Sequence, residues 1–328
     1  MGSVQPGQQL DHYSIEREIA CSGMATIYLA KDLRTGCQIA IKVPHIEAEC
    51  DVAFFERFRR EEQIGQKLDH PGVVKVFRND GRSRLYIVME WVEGKSLRAL
   101  LNEQHKLTPE RAVAITLQIC DALEYLHRQG VIHRDLKPEN IILSPGDEPG
   151  DHAKLIDFGI AGCVGARRLT FGKLSNTMGT PDYISPEQVQ GKRGDARSDL
   201  FALGVMLYEM LTGRAPFQGS NPLAVMNARL RNNPVPPRQI EPAIPPQLQT
   251  VIYRALERDP RDRYATAKDF AYDLNHLDET GVDATSEKRA ENPAHTSLSW
   301  LQGALFFGPL ALIPMLIFTL LFYFSRHP

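Results

Sequence analysis

The sequence predicts an α+β domain of two unequal parts: a small sheet-rich part with one main helix, then a larger, mostly helical part. One C-terminal transmembrane helix follows. Three observations carry this prediction. Early in the chain stand short runs rich in β-branched and aromatic residues, YSIEREIA, TIYLAKD, QIAIKV and RLYIVMEWV, the composition that strands favour. After Gly94 the pattern turns mostly helical. From Trp300 to Phe324 the run WLQGALFFGPLALIPMLIFTLLFYF carries no charge, and about 20 apolar residues suffice to cross the ~30 Å hydrocarbon core.

Taken in order, the strand-like runs are interrupted by one helix, VAFFERFRREEQIGQKL (52–68), with Phe54, Phe58 and Leu68 near helical spacing. The stretch LTPERAVAITLQICDALEYLH places Thr108 at an N-cap and Pro109 at the first helical position, where a missing N–H loses no bond. DLFALGVMLYEMLTG is apolar almost all round and ends at Gly213, which suits a C-cap. It is too short to span a bilayer, so it reads as a helix buried in the larger part. Residues 278–299, DETGVDATSEKRAENPAHTSLS, are polar and read as a flexible linker. In the final run Trp300 and Tyr323 lie near the two ends, where interfacial aromatics belong. Pro309 and Pro314 would kink a spanning helix without forbidding it. A buried hydrophobic helix or a re-entrant hairpin is the competing reading of this run.

The opening MGSVQPGQQLDHYS lacks the apolar core of a signal peptide, and Pro6 stands where N-myristoylation wants a hydroxyl residue. The expected location is therefore the cell membrane, single-pass and C-terminally anchored, with the large N-terminal domain in the cytoplasm. The 328 residues are 43% hydrophobic and 24% charged with a formal net charge of −2, a balance that gives no support to a nucleic-acid partner. Five cysteines (Cys21, Cys37, Cys50, Cys120 and Cys163) form no CxxC pair, which fits a reduced, cytosolic setting.

Two stretches carry chemistry: VIHRDLKPENIIL (131–143) and KLIDFGIA (154–161). They resemble the catalytic loop and metal-binding loop of the eukaryotic-type (Hanks-type) protein kinases. GTPDYISPEQ, RSDLFALGVMLYEMLTGRAPF and DPRDRY are similar to the bacterial Ser/Thr branch of that family. The resemblance implies a bilobal protein-kinase fold. A tail (1–12) would precede a small antiparallel-sheet lobe with one main helix (13–89), a hinge (90–95) and a large helical lobe (96–277). The linker (278–299), the transmembrane helix (300–324) and a short tail (325–328) would follow.

The implied activity is Mg-ATP-dependent transfer of the γ-phosphoryl group to Ser/Thr hydroxyls of proteins, including the activation loop of the chain itself, in membrane-tethered signalling. Such transfer needs charge neutralised on the phosphates and an in-line hydroxyl, with little covalent help. By the resemblance, Lys42 of AIKV would hold the α- and β-phosphates, partnered by Glu61 of FRREEQ, with Glu62 as the rival. Asp135 would orient the substrate hydroxyl and accept its proton, and Lys137 would neutralise the transferring group. Asn140 and Asp157 would ligate magnesium (manganese as an alternative), a hard cation suited to oxygen donors. Adenine would lie against the backbone of Glu90 and Val92, covered by Ala40 and Leu143, with Met89 gating the rear; Ile19 and Ile27 complete the nucleotide site.

Other matches are structural or regulatory by the same resemblance. Glu187 would pair with Arg263, Asp199 would receive backbone donors of the catalytic loop, and His133 and Phe158 would pack between the lobes. Arg134 points to control by phosphorylation, with Ser175, Thr177 and Thr170 as the sites and Thr180 as a substrate-positioning hydroxyl. The expected partners are protein substrates, the membrane through residues 300–324, and a second copy for autophosphorylation in trans.

One motif departs from the family. In IACSGMATIY (19–28), Ala20 and Ser22 stand where the phosphate loop wants glycine, while Gly23 and the following Met-Ala are ordinary for bacterial relatives. If φ is positive at either, the substitution costs about 1 kcal/mol, and Ala20→Gly with Ser22→Gly should tighten ATP binding. If φ is negative the cost is small, and the Ser22 hydroxyl is available to a phosphate. A catalytically weak or inactive nucleotide-binding scaffold is therefore the alternative to an active kinase. A small-molecule phosphotransferase is the weaker third reading, because GTPDYISPE resembles a peptide platform.

Overall fold

Alternation of side chains across the early strands gives a sheet with two apolar faces, and each face finds a different partner. The computed structural model describes residues 4–45, 51–145, 150–157 and 181–281. In it β1 (Gln9–Leu10), β2 (Tyr13–Cys21), β3 (Ala25–Asp32), β4 (Gln38–Pro44), β5 (Val76–Phe77) and β6 (Ile87–Glu90) form one antiparallel sheet, in the order β1-β2-β3-β4-β6-β5. Tyr13, Ile15, Tyr28, Ala30, Ile39, Ile41, Val43, Tyr86 and Val88 cluster on one side. Ala40 and Met89 join the main core on the other. Because neighbours on a strand point to opposite faces, Lys42 shares the face of Ala40. Its Cα is in register with Ile27 on one side and Ile87 on the other.

Helix α1 (Val52–Gly65) opens on Asp51, whose carboxylate accepts from the N–H groups of Ala53 and Phe54. Phe54 and Phe58, one turn apart, are buried. The sequence predicts helix as far as Leu68. The regular helix ends at Gly65, a weak helix former, and the next residues close tighter bonds, Lys67 N–H to Ile64 O and Leu68 N–H to Gly65 O. Leu68 is buried all the same.

The chain then passes from β6 into the helical part through Trp91–Gly94. Gly94 is required at that crossing: its φ is +147° and a Cβ would lie 2.2 Å from the carbonyl oxygen of Leu143. A second sheet, β7 (Lys95–Ser96), β8 (Ile141–Pro145) and β9 (Asp151–Leu155), is antiparallel throughout. Helix α2 (Leu97–Gln104) follows β7 directly. Helix α3 (Pro109–Arg128) begins as the sequence predicts, with the Thr108 hydroxyl accepting from Arg111 N–H and Pro109 in the first turn.

After the short α4 (Pro186–Val189), α5 (Ala196–Thr212) is the centre of the large part, with every residue from Ser198 to Thr212 buried. It stops at Gly213, which is left-handed (φ 73°) and donates to Glu209 O, so the predicted C-cap is observed. Helices α6 (Pro222–Arg231), α7 (Pro237–Ile240), α8 (Pro246–Ala255) and α9 (Ala267–Asn275) complete the described chain. Helix α5 packs against α3 and α8, and α3 packs against α9.

Together these elements are an α+β, two-part arrangement. Among the described residues no helix is long and apolar enough to cross a membrane. The predicted span at 300–324 and all of the linker beyond residue 281 lie outside the described residues.

Candidate active site

Three charged side chains meet where β4, α1 and the end of β9 converge. Lys42 Nζ donates to Glu61 Oε1 at 2.7 Å and to Asp157 Oδ1 at 2.5 Å. Two carboxylates thus share one ammonium. Burial works against the Lys42 charge, but Asp157 and Glu61 together hold its pKa above the ordinary lysine value. Burial also works to raise Asp157, and the Lys42 charge outweighs it, bringing that carboxyl to about 2. Glu61 is the partner that yields: burial pushes its carboxyl up to about 7 against the pull of Lys42.

The rival, Glu62, faces elsewhere. Successive helix residues project about 100° apart, and Glu62 forms a two-point pair with Arg82, Nη1 to Oε1 at 2.6 Å and Nη2 to Oε2 at 2.8 Å. Arg82 also donates to the Tyr86 carbonyl. Of the two glutamates, Glu61 is the one beside Lys42.

The loop of residues 131–140 is held from beneath by Asp199, the fourth residue of α5, whose side chain is fully buried. Its Oδ2 accepts from His133 N–H at 2.9 Å and from the His127 ring at 2.8 Å, and its Oδ1 accepts from Arg134 N–H at 2.7 Å. Arg134 and Asp157 both have φ of 63°, a sparsely populated conformation that costs of order 1–3 kcal/mol and gathers at functional sites. His133 is fully buried, and burial lowers its pKa.

Asp135, in contrast, is open, with its side chain 54% exposed, and accepts from Lys137 Nζ at 2.7 Å. The Asn140 side-chain NH₂ donates to the Asp135 carbonyl at 2.8 Å. Because the NH₂ group is engaged, the amide oxygen of Asn140 is left as an acceptor. Ile156 N–H donates to Asn140 O, tying the residue before Asp157 to the same turn. The Asn140 amide oxygen and the Asp157 carboxylate, which already draws a cation in Lys42, make a hard-oxygen donor set that fits magnesium.

The residues expected at a nucleotide site fall into two groups. Ala40, Met89 and Leu143 are buried and Val92 half-buried, whereas Ile19 is 37% exposed at the edge of the sheet. Glu90 uses its carboxylate structurally, accepting from Lys75 N–H and from Lys154 Nζ, both at 2.8 Å. A cavity of about 1290 Å³ runs behind Glu90–Lys95 against Arg111, Gln118 and Asp151 rather than over Lys42 and Asp157.

Among the described residues, the non-glycine residues with positive φ are Asp11, His105, Arg134 and Asp157; Ala20 and Ser22, in the loop between β2 and β3, are not among them. Neither substitution strains the backbone. The Ser22 hydroxyl donates to Ala25 O at 2.9 Å and accepts from Ala25 N–H at 3.2 Å, beside the backbone bond Ser22 N–H to Ala25 O at 2.9 Å. Its hydroxyl therefore closes the β2–β3 turn and is not available to a phosphate. Here the structure revises what the sequence suggests: Ser22→Gly should loosen the loop. A lost hydrogen bond of about 0.5–1.5 kcal/mol and the roughly 0.5–1 kcal/mol entropy of an added glycine raise the apparent Kd for Mg-ATP several-fold. Titration calorimetry on the two proteins checks this, and tighter binding by Ser22→Gly would contradict it.

Farther from the cleft, Arg263 grips Glu187 at two points, Nη1 to Oε1 at 2.9 Å and Nη2 to Oε2 at 2.7 Å. Arg263 also donates to the carbonyls of Glu257, Arg197 and Arg258, and lies over the Phe201 ring. Sequence reasoning missed the helpers: Ser198, whose hydroxyl donates to Glu187; His127 under Asp199; and Gln188, whose side-chain NH₂ donates to Arg134 O. Gln188 stands within the quoted SPEQ motif, but nothing in the sequence assigns it to the catalytic loop. Thr170, Ser175, Thr177, Thr180 and Phe158 lie outside the described residues.

Comparison with known proteins agrees with this geometry. Residues 13–273 match the family described as the protein kinase domain. A probable serine/threonine-protein kinase of Streptomyces coelicolor is 40% identical over 288 residues, covering 86% of this chain and 42% of the relative. The serine/threonine-protein kinase PknB of Mycobacterium tuberculosis is 37% identical over 275 residues, covering 82% of this chain and 43% of its own length. The chain thus spans less than half the length of these curated relatives. Among solved structures, the PknI kinase domain of Mycobacterium tuberculosis is similar at a TM-score of 0.65 with 26% identity, covering 84% of this chain and 100% of that one. Rad53 1–466 in complex with AMP-PNP is similar at a TM-score of 0.64 with 29% identity, covering 81% and 64%.

Proposed function

The chain belongs to the protein kinase family, and from that premise we propose that it transfers the γ-phosphoryl group of Mg-ATP to serine and threonine hydroxyls of proteins. The observation that carries this reading is the coexistence of the Lys42–Glu61 and Lys42–Asp157 bonds with an exposed Asp135 on a loop pinned by Asp199. A scaffold that only binds nucleotide has no need of an exposed carboxylate and an adjacent lysine held at 2.7 Å. The naming of PknB as a serine/threonine-protein kinase, and the AMP-PNP complex of Rad53, support the choice of hydroxyl and of nucleotide.

In this reading Lys42 binds the phosphates, with Glu61 restricting its swing, and Asp135 orients the acceptor hydroxyl and takes its proton. Lys137 places a positive charge beside that carboxylate. Asn140 and Asp157 would hold magnesium, which when bound neutralises charge on the phosphates and fixes their orientation. The test is phosphate transfer from Mg-ATP to an added protein, followed by phosphoamino-acid analysis. Phosphoserine and phosphothreonine are expected; phosphotyrosine alone, or nucleotide binding without transfer, would overturn the reading.

We also propose that residues 300–324 anchor the chain in a membrane, supported by the absence of charge over that run and by its terminal aromatics. Control by phosphorylation at Ser175, Thr177 or Thr170, and trans autophosphorylation between two copies, belong to the same proposal. Deleting residues 300–324 should move the expressed chain from the membrane fraction to the supernatant. Recovery of the undeleted chain in the supernatant would contradict the anchor.

A further inference from the structure

The buried side chains of α1 stand four residues apart: Phe54, Phe58 and Glu62. Residues at that spacing share one helix face. The first two positions of this stripe are phenylalanine, and the third is a carboxylate where packing alone asks for another apolar side chain. Its charge is met by Arg82, in the connection between β5 and β6, with the two-point geometry described above. Both side chains are largely withdrawn from water, Glu62 at 8% and Arg82 at 18% exposure. Such a pair returns little stability over an apolar contact of the same volume. What it adds is direction.

Apolar packing is non-directional, and a stripe of two phenylalanines leaves α1 free to turn about its own axis. A fork held at both nitrogens does not. Because Glu61 projects about 100° from Glu62, fixing one side chain fixes where the other points. Arg82 is itself held. Its Nη1 also donates to Tyr86 O at 2.6 Å, and the next residue, Ser83, donates its N–H to the Asp11 carboxylate at 3.1 Å. The hydroxyl of the buried Tyr86 donates to the same carboxylate. The connection is thus tied to the turn between β1 and β2, and it offers α1 a fixed counterpart. The geometry points to Arg82 as a positioning residue for phosphate transfer: through Glu62 it sets the rotation of α1 that presents Glu61 to Lys42. This rests on the kinase reading above.

The experiment separates positioning from stability with Arg82→Met and Glu62→Met. Arg82→Met alone strands a buried carboxylate and should lower both Tm and kcat/KM for Mg-ATP. The double variant leaves no uncompensated charge and should return Tm to near that of wild type. It should still lose kcat/KM roughly tenfold to a hundredfold, the scale of a misplacement of about 1 Å. Added to Glu61→Gln, the double change should cost less than about a further twofold, because residues that act as a unit are not additive. A double variant that recovers kcat/KM along with Tm overturns the proposal, as does one whose Tm stays as low as that of Arg82→Met. A loss of the same size with Glu61 and with Glu61→Gln overturns it too. A second readout needs no transfer: the rate at which acetic anhydride acylates Lys42, followed by mass spectrometry against the exposed Lys95 of the same sample. The double variant and Glu61→Gln should both raise that rate several-fold, because Lys42 has lost one of its two carboxylates. A rate in the double variant equal to that of wild type overturns the proposal. Should wild type transfer no phosphate, the kinase reading fails alone, and the acylation rate still decides this one.

Discussion

Asp135→Asn lowers kcat for phosphate transfer by about 10²–10⁴-fold, the range set by loss of a positioned general base, while Mg-ATP binding stays within a few-fold of wild type. The two parts of this expectation come from different places in the structure. Asp135 is exposed and its hydrogen-bond partners are Lys137 and Asn140. Its replacement leaves the Lys42–Glu61 and Lys42–Asp157 bonds untouched. Asparagine keeps the size of the side chain and cannot accept the hydroxyl proton. Steady-state kinetics with titration calorimetry separates the two effects. A fall in kcat matched by an equal loss of ATP affinity would mean that Asp135 supports the nucleotide site rather than the acceptor.

Glu187→Ala should be strongly destabilising. Arg263 has no exposed side-chain surface, and Glu187 is its two-point partner. Removing the carboxylate strands a buried guanidinium, at about 3–5 kcal/mol for a broken buried pair. At the roughly 2–4 °C per kcal/mol of a domain this size, Tm falls by on the order of 10 °C. The double change Glu187→Gln with Arg263→Met leaves no uncompensated charge and should recover part of the loss. The pair also sets a pH dependence. Burial alone would raise the Glu187 carboxyl, but Arg263 holds it below its ordinary value of 4.5. Its stabilisation is complete above that value and is lost as pH falls through the lower folded-state value. Wild type should therefore lose Tm on acidification in that window more steeply than the double variant. Calorimetric scans across pH check this; parallel curves would remove the pair from the account of stability.

The elements were legible in the sequence wherever a local rule acts. Strand runs, the Thr108–Pro109 start and the Gly213 stop each depend on residues within one turn of each other. The Lys42, Asp135, Asn140 and Asp157 positions were legible through family resemblance, because the order of motifs is local even though their meeting is not. The resemblance already favours Glu61 over Glu62, but only the position of Arg82 shows where Glu62 turns. The conformation of Ser22 was not legible either, because φ at a tight turn depends on the register of β2 with β3.

The account stands on the claim that these residues transfer phosphate despite Ala20 and Ser22 in the phosphate loop. Mass spectrometry of the purified chain and of Asp135→Asn after incubation with Mg-ATP tests it most directly. The prediction is phosphate on Ser or Thr residues of the wild type, mapped within 158–187, and none on the variant. A wild-type chain that stays unmodified while Mg-ATP raises its Tm would contradict it and leave a nucleotide-binding scaffold.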